Sequence, residues 1–145
     1  MKLQPRLEQS RFKISYFIDP QIAPDTQHIN KLLHQEGQAA NVVLSFGQYL
    51  DIIPIRASKG LAMRWVAERH DIALDRILAA GGSGADEDMM RGNMLAVVVA
   101  NRHNEELSDL TQVDEIFFAS RPYAEGILEA IELYDFFDTC ETPDS

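Results

Sequence analysis

Residues 77–101 decide the fold: Ile77-Leu78-Ala79-Ala80-Gly81-Gly82-Ser83-Gly84-Ala85-Asp86-Glu87-Asp88-Met89-Met90-Arg91-Gly92-Asn93-Met94-Leu95-Ala96-Val97-Val98-Val99-Ala100-Asn101. An apolar run leads into a glycine loop, a helix-like segment leaves it, and a second apolar run follows. Strand, loop, helix, strand is the outline of an open α/β unit, in which ligands sit beyond the carboxyl ends of the strands. Glycines at that place let the backbone approach a ligand, and consecutive amides can form a nest for an anion. Asp86 stands where the loop becomes a helix. The pattern leaves two readings open for it, an N-cap or a metal ligand.

Outward from this stretch, helix and apolar strand alternate. Ser58 can cap a helix in which Leu61, Ala62, Trp65, Val66 and Arg69 recur at helical spacing, which puts Trp65 in the core. Strands are expected at 77–81, 95–100 and 116–119, and helices at 86–92, around 105–110 and over 123–137. Ile127, Leu128, Ile131 and Tyr134 point inward in the last of these. Such alternation implies a parallel sheet with helices on both faces.

The region before it has a different grammar. Phe12, Ile14, Tyr16 and Ile18 alternate along a strand with one covered side. Pro24 opens a helix with Ile29, Leu32 and Leu33 as its stripe and Gly37 beyond its end. Residues 41–46 and 49–55 form a hairpin about Phe46-Gly47-Gln48, with Pro54 near an edge. The expected division is a linking segment 1–11, a β-α-β-β lobe 12–56, an α/β core 57–138 and a loose tail 139–145.

The totals narrow the class. A chain of 145 residues makes one domain, or one domain and a lobe. No apolar run approaches the ~20 residues of a membrane helix, and nothing apolar follows Met1-Lys2-Leu3-Gln4-Pro5 as in a signal peptide. The single cysteine, Cys140, forms no internal disulfide and suits a reducing cytoplasm. A net charge of -10 argues against nucleic acid and anionic membrane as partners. An anionic ligand would need a few local cations or a metal.

Lys59 lies in the first turn of its helix, where a cation opposes the helix dipole by about 0.3–1 kcal/mol. It is either a solvated lysine or the counter-charge of an anion held there. Asp86, Glu87 and Asp88 are favoured at a helix start by dipole and capping, and they also suit a hard cation such as Mg2+. His28, His34, His70 and His103 lack zinc spacing, and Cys140 has no local histidine partner. The loop 81–84 fits neither a Walker loop nor G-x-G-x-x-G.

At Lys59 and at 81–90 the sequence resembles the haloacid dehalogenase superfamily. Within it, the closest likeness is to sucrose-phosphate phosphatases and the phosphatase-like C-terminal region of sucrose-phosphate synthases. Phe12-Lys13-Ile14-Ser15-Tyr16-Phe17 is similar to the family's sugar-binding cap strand. Leu50-Asp51-Ile52-Ile53-Pro54 with Ala57-Ser58-Lys59-Gly60 is similar to its Leu-Asp-Ile-Leu-Pro…Lys-Gly segment. Ala124–Ile131 is similar to its closing helix. The resemblance runs from about Lys13 to Phe136. It implies a partial three-layer Rossmannoid core with a parallel sheet, plus a small α+β cap.

The resemblance assigns Lys59 to the phosphoryl group and Asp86 to Mg2+. It makes Lys13, Ser45, Asp51, Arg56, Ser83 and Asn101 the substrate contacts. The family's metal loop reads Gly-Asp-Ser-Gly-Asn-Asp-x-x-Met, whereas Gly82 and Ala85 stand here in place of the first acid and the asparagine. A Mg2+ site lacking one carboxylate is expected to be weak. The family's nucleophile strand, Asp-x-Asp-x-(Thr/Val), does not occur in these 145 residues. Without it the strand at 77–81 has a bare edge that invites pairing, so a homo-oligomer is expected.

Three functions follow from the resemblance. The leading one is the C-terminal module of a sucrose-phosphate synthase, binding a partner or a sugar phosphate such as sucrose-6-phosphate or fructose-6-phosphate beside its glycosyltransferase portion, without catalysis of its own. The second is a Mg2+-dependent sugar-phosphate phosphatase completed by an upstream half. The third is a plain interaction domain. The synthase-attached form is expected from Gly-Gly-Ser-Gly.

Overall fold

In the computed structural model the described residues are 1–103, 107 and 116–138. The helix expected around 105–110, the tail from Thr139 and Cys140 lie outside them, Leu107 apart.

Two sheets make up the described chain. The first is antiparallel, in the order β1-β2-β4-β3, from β1 (Lys2–Leu3), β2 (Ile14–Phe17), β3 (Ala40–Ser45) and β4 (Tyr49–Pro54). Helix α1 (Thr26–Gln35) covers one face, capped by Asp25, whose Oδ1 accepts from the His28 amide at 2.7 Å. Ile29, Val42 and Leu50 form the small core between them, with Tyr16, Ile18, Leu33, Leu44 and Ile52 around it. The β3–β4 turn has Phe46 and Gly47 both at positive φ, the turn geometry that matches the right-handed twist of a hairpin.

The second sheet is parallel, in the order β5-β6-β7, from β5 (Leu78–Gly81), β6 (Leu95–Val98) and β7 (Ile116–Phe118). Ala96, Val97 and Val98 are fully buried because β6 is central and covered on both sides. On one side lie Met90 of the one-turn helix α3 (Glu87–Met90) and Leu107. On the other lies α4 (Tyr123–Leu133), through Ala130. Helix α2 (Lys59–Arg69) is capped by Ser58, whose Oγ accepts from the Leu61 amide at 3.1 Å. No described helix is long and apolar enough to cross a membrane.

The structure corrects several expectations. Residues 1–11 do more than link, since Lys2 and Leu3 pair with Phe17 and Tyr16. Phe12 and Ile14 are exposed, and only Tyr16 and Ile18 of the expected face reach the α1 side. Trp65 is 60% exposed and lies beneath the Arg69 guanidinium, outside the core. The inward face of α2 is instead Gly60, Met63, Arg64 and Ala67, of which only the two small residues, Gly60 and Ala67, are fully buried. Arg64 donates to the Arg91 carbonyl at 2.6 Å. Leu128 is likewise exposed, because Gly126 and Ala130 make the close contact of α4. The helix expected over 86–92 is a 3-10 turn (Gly84–Asp86) followed by one α turn.

Leu50 is fully buried at the centre of the antiparallel lobe. Leu50→Ala is expected to cost about 2–5 kcal/mol, read as a lowered urea midpoint.

Candidate functional site

The site forms at the carboxyl ends of β5 and β6, where chain geometry gathers three segments. β5 delivers Gly81, the loop returns Asp86, and the N-terminus of α2 brings Lys59. Gly81 has to be glycine here: a Cβ would lie 2.5 Å from the Asp86 Cβ and 2.7 Å from its Oδ2. Gly60 is fixed in the same way, since a Cβ would lie 2.5 Å from the Asp88 carbonyl oxygen. The Gly60 approach brings α2 down onto the loop, and the Gly81 approach lets Asp86 fold back against the end of β5.

Asp86 is the hub. Its Oδ2 accepts from the Gly82 amide at 3.0 Å and from the Ser83 amide and hydroxyl, each at 3.1 Å. Its Oδ1 accepts from Lys59 Nζ at 2.5 Å. Asp86 thus reaches back to the Ser83 amide as the acid of a capping box, and its side chain does not cap α3. Asp88 Oδ2 accepts from the Gly60 amide at 3.0 Å, so it satisfies a free donor at the start of α2. Glu87 pairs with Arg91 one turn later.

A crevice of about 350 Å³ opens beside this hub, lined by Phe46, Gly81, Gly82, Ser83, Asp86, Val99, Asn101, Tyr123 and Ile127 among others. Lys59 does not line it but bonds Asp86, which does, and about half of the lysine side chain is exposed. The hairpin turn of the antiparallel lobe reaches over the crevice through Phe46. Asn101 Oδ1 accepts from the Tyr123 amide at 2.8 Å and holds the start of α4 there.

Of the residues singled out in the sequence, Ser83, Asp86 and Asn101 line this crevice, and Lys59 is joined to them through Asp86. Lys13, Asp51 and Arg56 do not line this crevice. Lys13 Nζ and Asp51 Oδ2 lie 3.6 Å apart in the antiparallel sheet, where the buried Ser15 Oγ donates to Asp51 Oδ1 at 2.6 Å. Ser45 ends β3 and pairs with Tyr49. Arg56 lies beside Ser58, Leu61 and Trp65 on the outer side of α2. Phe46 and Tyr123 were not singled out as site residues. Phe46 carried a signal in its Phe-Gly turn, and Tyr123 carried none.

Burial alone would raise the Asp86 carboxyl. The Lys59 hydrogen bond, the Gly82 amide, the Lys59 charge and the Ser83 amide outweigh burial and hold it below the ordinary value of 3.8. A carboxyl depressed on folding adds stability that is present above its unfolded value and lost as pH falls through the folded one. Asp86→Asn is therefore expected to lower the thermal midpoint at neutral pH. The gap to the parent should close as pH falls below 3.8. Circular dichroism melts across that range check it, and a gap independent of pH contradicts it.

The comparisons with known proteins agree with this architecture. The pattern of the family described as sucrose-6F-phosphate phosphohydrolase matches residues 1–135. A sucrose-phosphatase from Synechocystis sp. PCC6803, solved with sucrose and phosphate, superposes with a TM-score of 0.86 at 31% identity, over 92% of this chain and 56% of that one. Sucrose-phosphatase 1 of Nicotiana tabacum is 29% identical over 140 residues, 90% of this chain and 33% of its own length. Glucosylglycerol-phosphate synthase of Pseudomonas anguilliseptica is 27% identical over 124 residues, 86% of this chain and 16% of its own length. The chain spans about a third to a half of the length of the phosphatases it matches. The family match, the parallel core and the glycine loop anchored on Asp86 lead to one conclusion: the chain belongs to the sucrose-6F-phosphate phosphohydrolase family, within the haloacid dehalogenase superfamily.

Proposed function

We propose that this chain is the sugar-phosphate-binding part of a sucrose-phosphatase-like domain, with Lys59 as the group that meets the phosphoryl end. The observation that carries the reading is the meeting of Lys59 and Asp86, far apart in sequence, at the carboxyl ends of a parallel sheet. That is where α/β proteins bind ligands. The homologous phosphatase that was solved with sucrose and phosphate supports the same ligand class.

Hydrolysis needs a nucleophile that these residues do not offer. Asp86, Glu87 and Asp88 lie in the turns after β5 and not at the end of a strand, where a nucleophilic carboxylate of this fold would stand. The open edge of β5 is where a strand bearing a nucleophile would pair, so turnover belongs to a form in which that edge is filled. A second reading, a phosphatase-like module beside a glycosyltransferase portion, is favoured by the match to one sixth of a glucosylglycerol-phosphate synthase. In that reading the module binds and does not cleave. Where it works is taken from the single cysteine, which suits the cytoplasm.

Calorimetric titration with sucrose-6-phosphate is expected to give saturable binding that inorganic phosphate competes away and Lys59→Met removes. No heat with the parent chain at millimolar ligand contradicts the reading. Released phosphate at enzymatic rates from the purified chain contradicts the binding-only form of it. The bare β5 edge is also expected to make the isolated chain self-associate. Light scattering after gel filtration should report a dimer or larger, and a clean monomer at micromolar concentration contradicts it.

A further inference from the structure

The family implies a divalent metal on the loop that carries Asp86, and the donor set found there does not suit one. An ionised carboxylate offers about four lone-pair positions. Asp86 carries four donors: two amides and one hydroxyl crowd Oδ2, and the Lys59 ammonium takes one of the two positions on Oδ1. Mg2+ requires near-octahedral oxygen at about 2.0–2.1 Å and dehydrates reluctantly. To use the position left on Oδ1 a dication would have to sit beside an ammonium ion already 2.5 Å from that oxygen, against the repulsion of like charges.

The neighbouring carboxylates do not converge on Asp86, and each has one oxygen engaged. Asp88 Oδ2 is held by the Gly60 amide and Glu87 by Arg91. Asn101 Oδ1 is held by the Tyr123 amide. Position 82, which faces the crevice, is glycine and adds no carboxylate. Among the described residues no three His, Cys, Asp or Glu side chains converge as a metal site.

Lys59 supplies what the metal would. An ammonium carries three donors, of which Asp86 takes one. The side chain is half exposed, so the remaining donors are open to solvent beside Asp86. We infer that Lys59 is the resident cation of this site, closing Asp86 to divalent metal and receiving a phosphate monoester without one. The ligand in this inference rests on the sugar-phosphate reading; the closure to metal does not.

Two measurements on the purified chain separate these points. The first is a Mn2+ titration read by the electron paramagnetic resonance of the free ion, with no anion present. The expected result is no bound Mn2+ at millimolar concentration. Stoichiometric binding at micromolar Mn2+ overturns the inference. The second follows the amide shifts of residues 81–86 during titration with inorganic phosphate and with sucrose-6-phosphate, in EDTA and then in excess Mg2+.

Shifts of equal size in both media are expected. Lys59→Met should abolish them without rescue by Mg2+, and Lys59→Arg should retain them. Shifts that appear only with Mg2+ overturn the inference while leaving the sugar-phosphate reading intact. Absence of shifts with either anion in either medium overturns the sugar-phosphate reading and metal-free binding with it. The Mn2+ result then still decides whether Asp86 is closed to metal.

Discussion

The contact between Lys59 and Asp86 is the constraint on which the parallel half of this molecule depends. It joins the first turn of α2 to the end of a loop 27 residues later. A lysine at a helix N-terminus is unfavourable by itself, because the helix dipole presents its positive end there. Two carboxylates offset that cost. Asp86 takes the ammonium, and Asp88 takes the Gly60 amide on the same turn. Gly60 and Gly81 are the backbone counterparts of these contacts, since a methyl group at either would strike the facing segment. The site is therefore an arrangement of backbone approaches held by one part-buried carboxylate.

The rest of the fold serves to hold that arrangement in place. β6 is central and buried on both faces, so its neighbour β5 can end in a glycine loop without losing register. α4 covers one face through Gly126 and Ala130, and Asn101 fixes its start at the crevice. On the far side of the crevice the hairpin turn of the antiparallel lobe brings in Phe46. The two sheets thus meet at the loop carrying Asp86. Among the described residues β5 lies at one edge of its sheet and pairs only with β6.

How much of this was legible in the sequence depends on the element. Strands β5, β6 and β7 could be placed to within a residue or two, because continuous apolar runs bounded by glycine and polar residues leave few alternatives. Ser58 as a cap, Gly37 beyond α1 and the turn at Phe46-Gly47 were legible for equally local reasons. The facing of α2 was not. Its largest residue, Trp65, suggested the core, yet the helix packs by its small residues and leaves the indole under Arg69. Periodicity reports where apolar residues recur and not how close the neighbouring backbone comes. Lys59 and Asp86 stood out individually and through the family resemblance. Their mutual hydrogen bond belongs to tertiary structure, and so does the saturation of Asp86 by the Gly82 and Ser83 donors. The short pairing of Lys2 and Leu3 with β2 was hidden by the polar residues around it.

The claim at the centre of this account is that a single carboxylate organises the loop. Amide hydrogen exchange in the parent and in Asp86→Ala tests it most directly. The account predicts that the Gly82 and Ser83 amides are protected in the parent and exchange at loop rates in the variant, while the amides of Val97 and Val98 in β6 keep their protection. Unchanged protection of Gly82 and Ser83 in Asp86→Ala would contradict it.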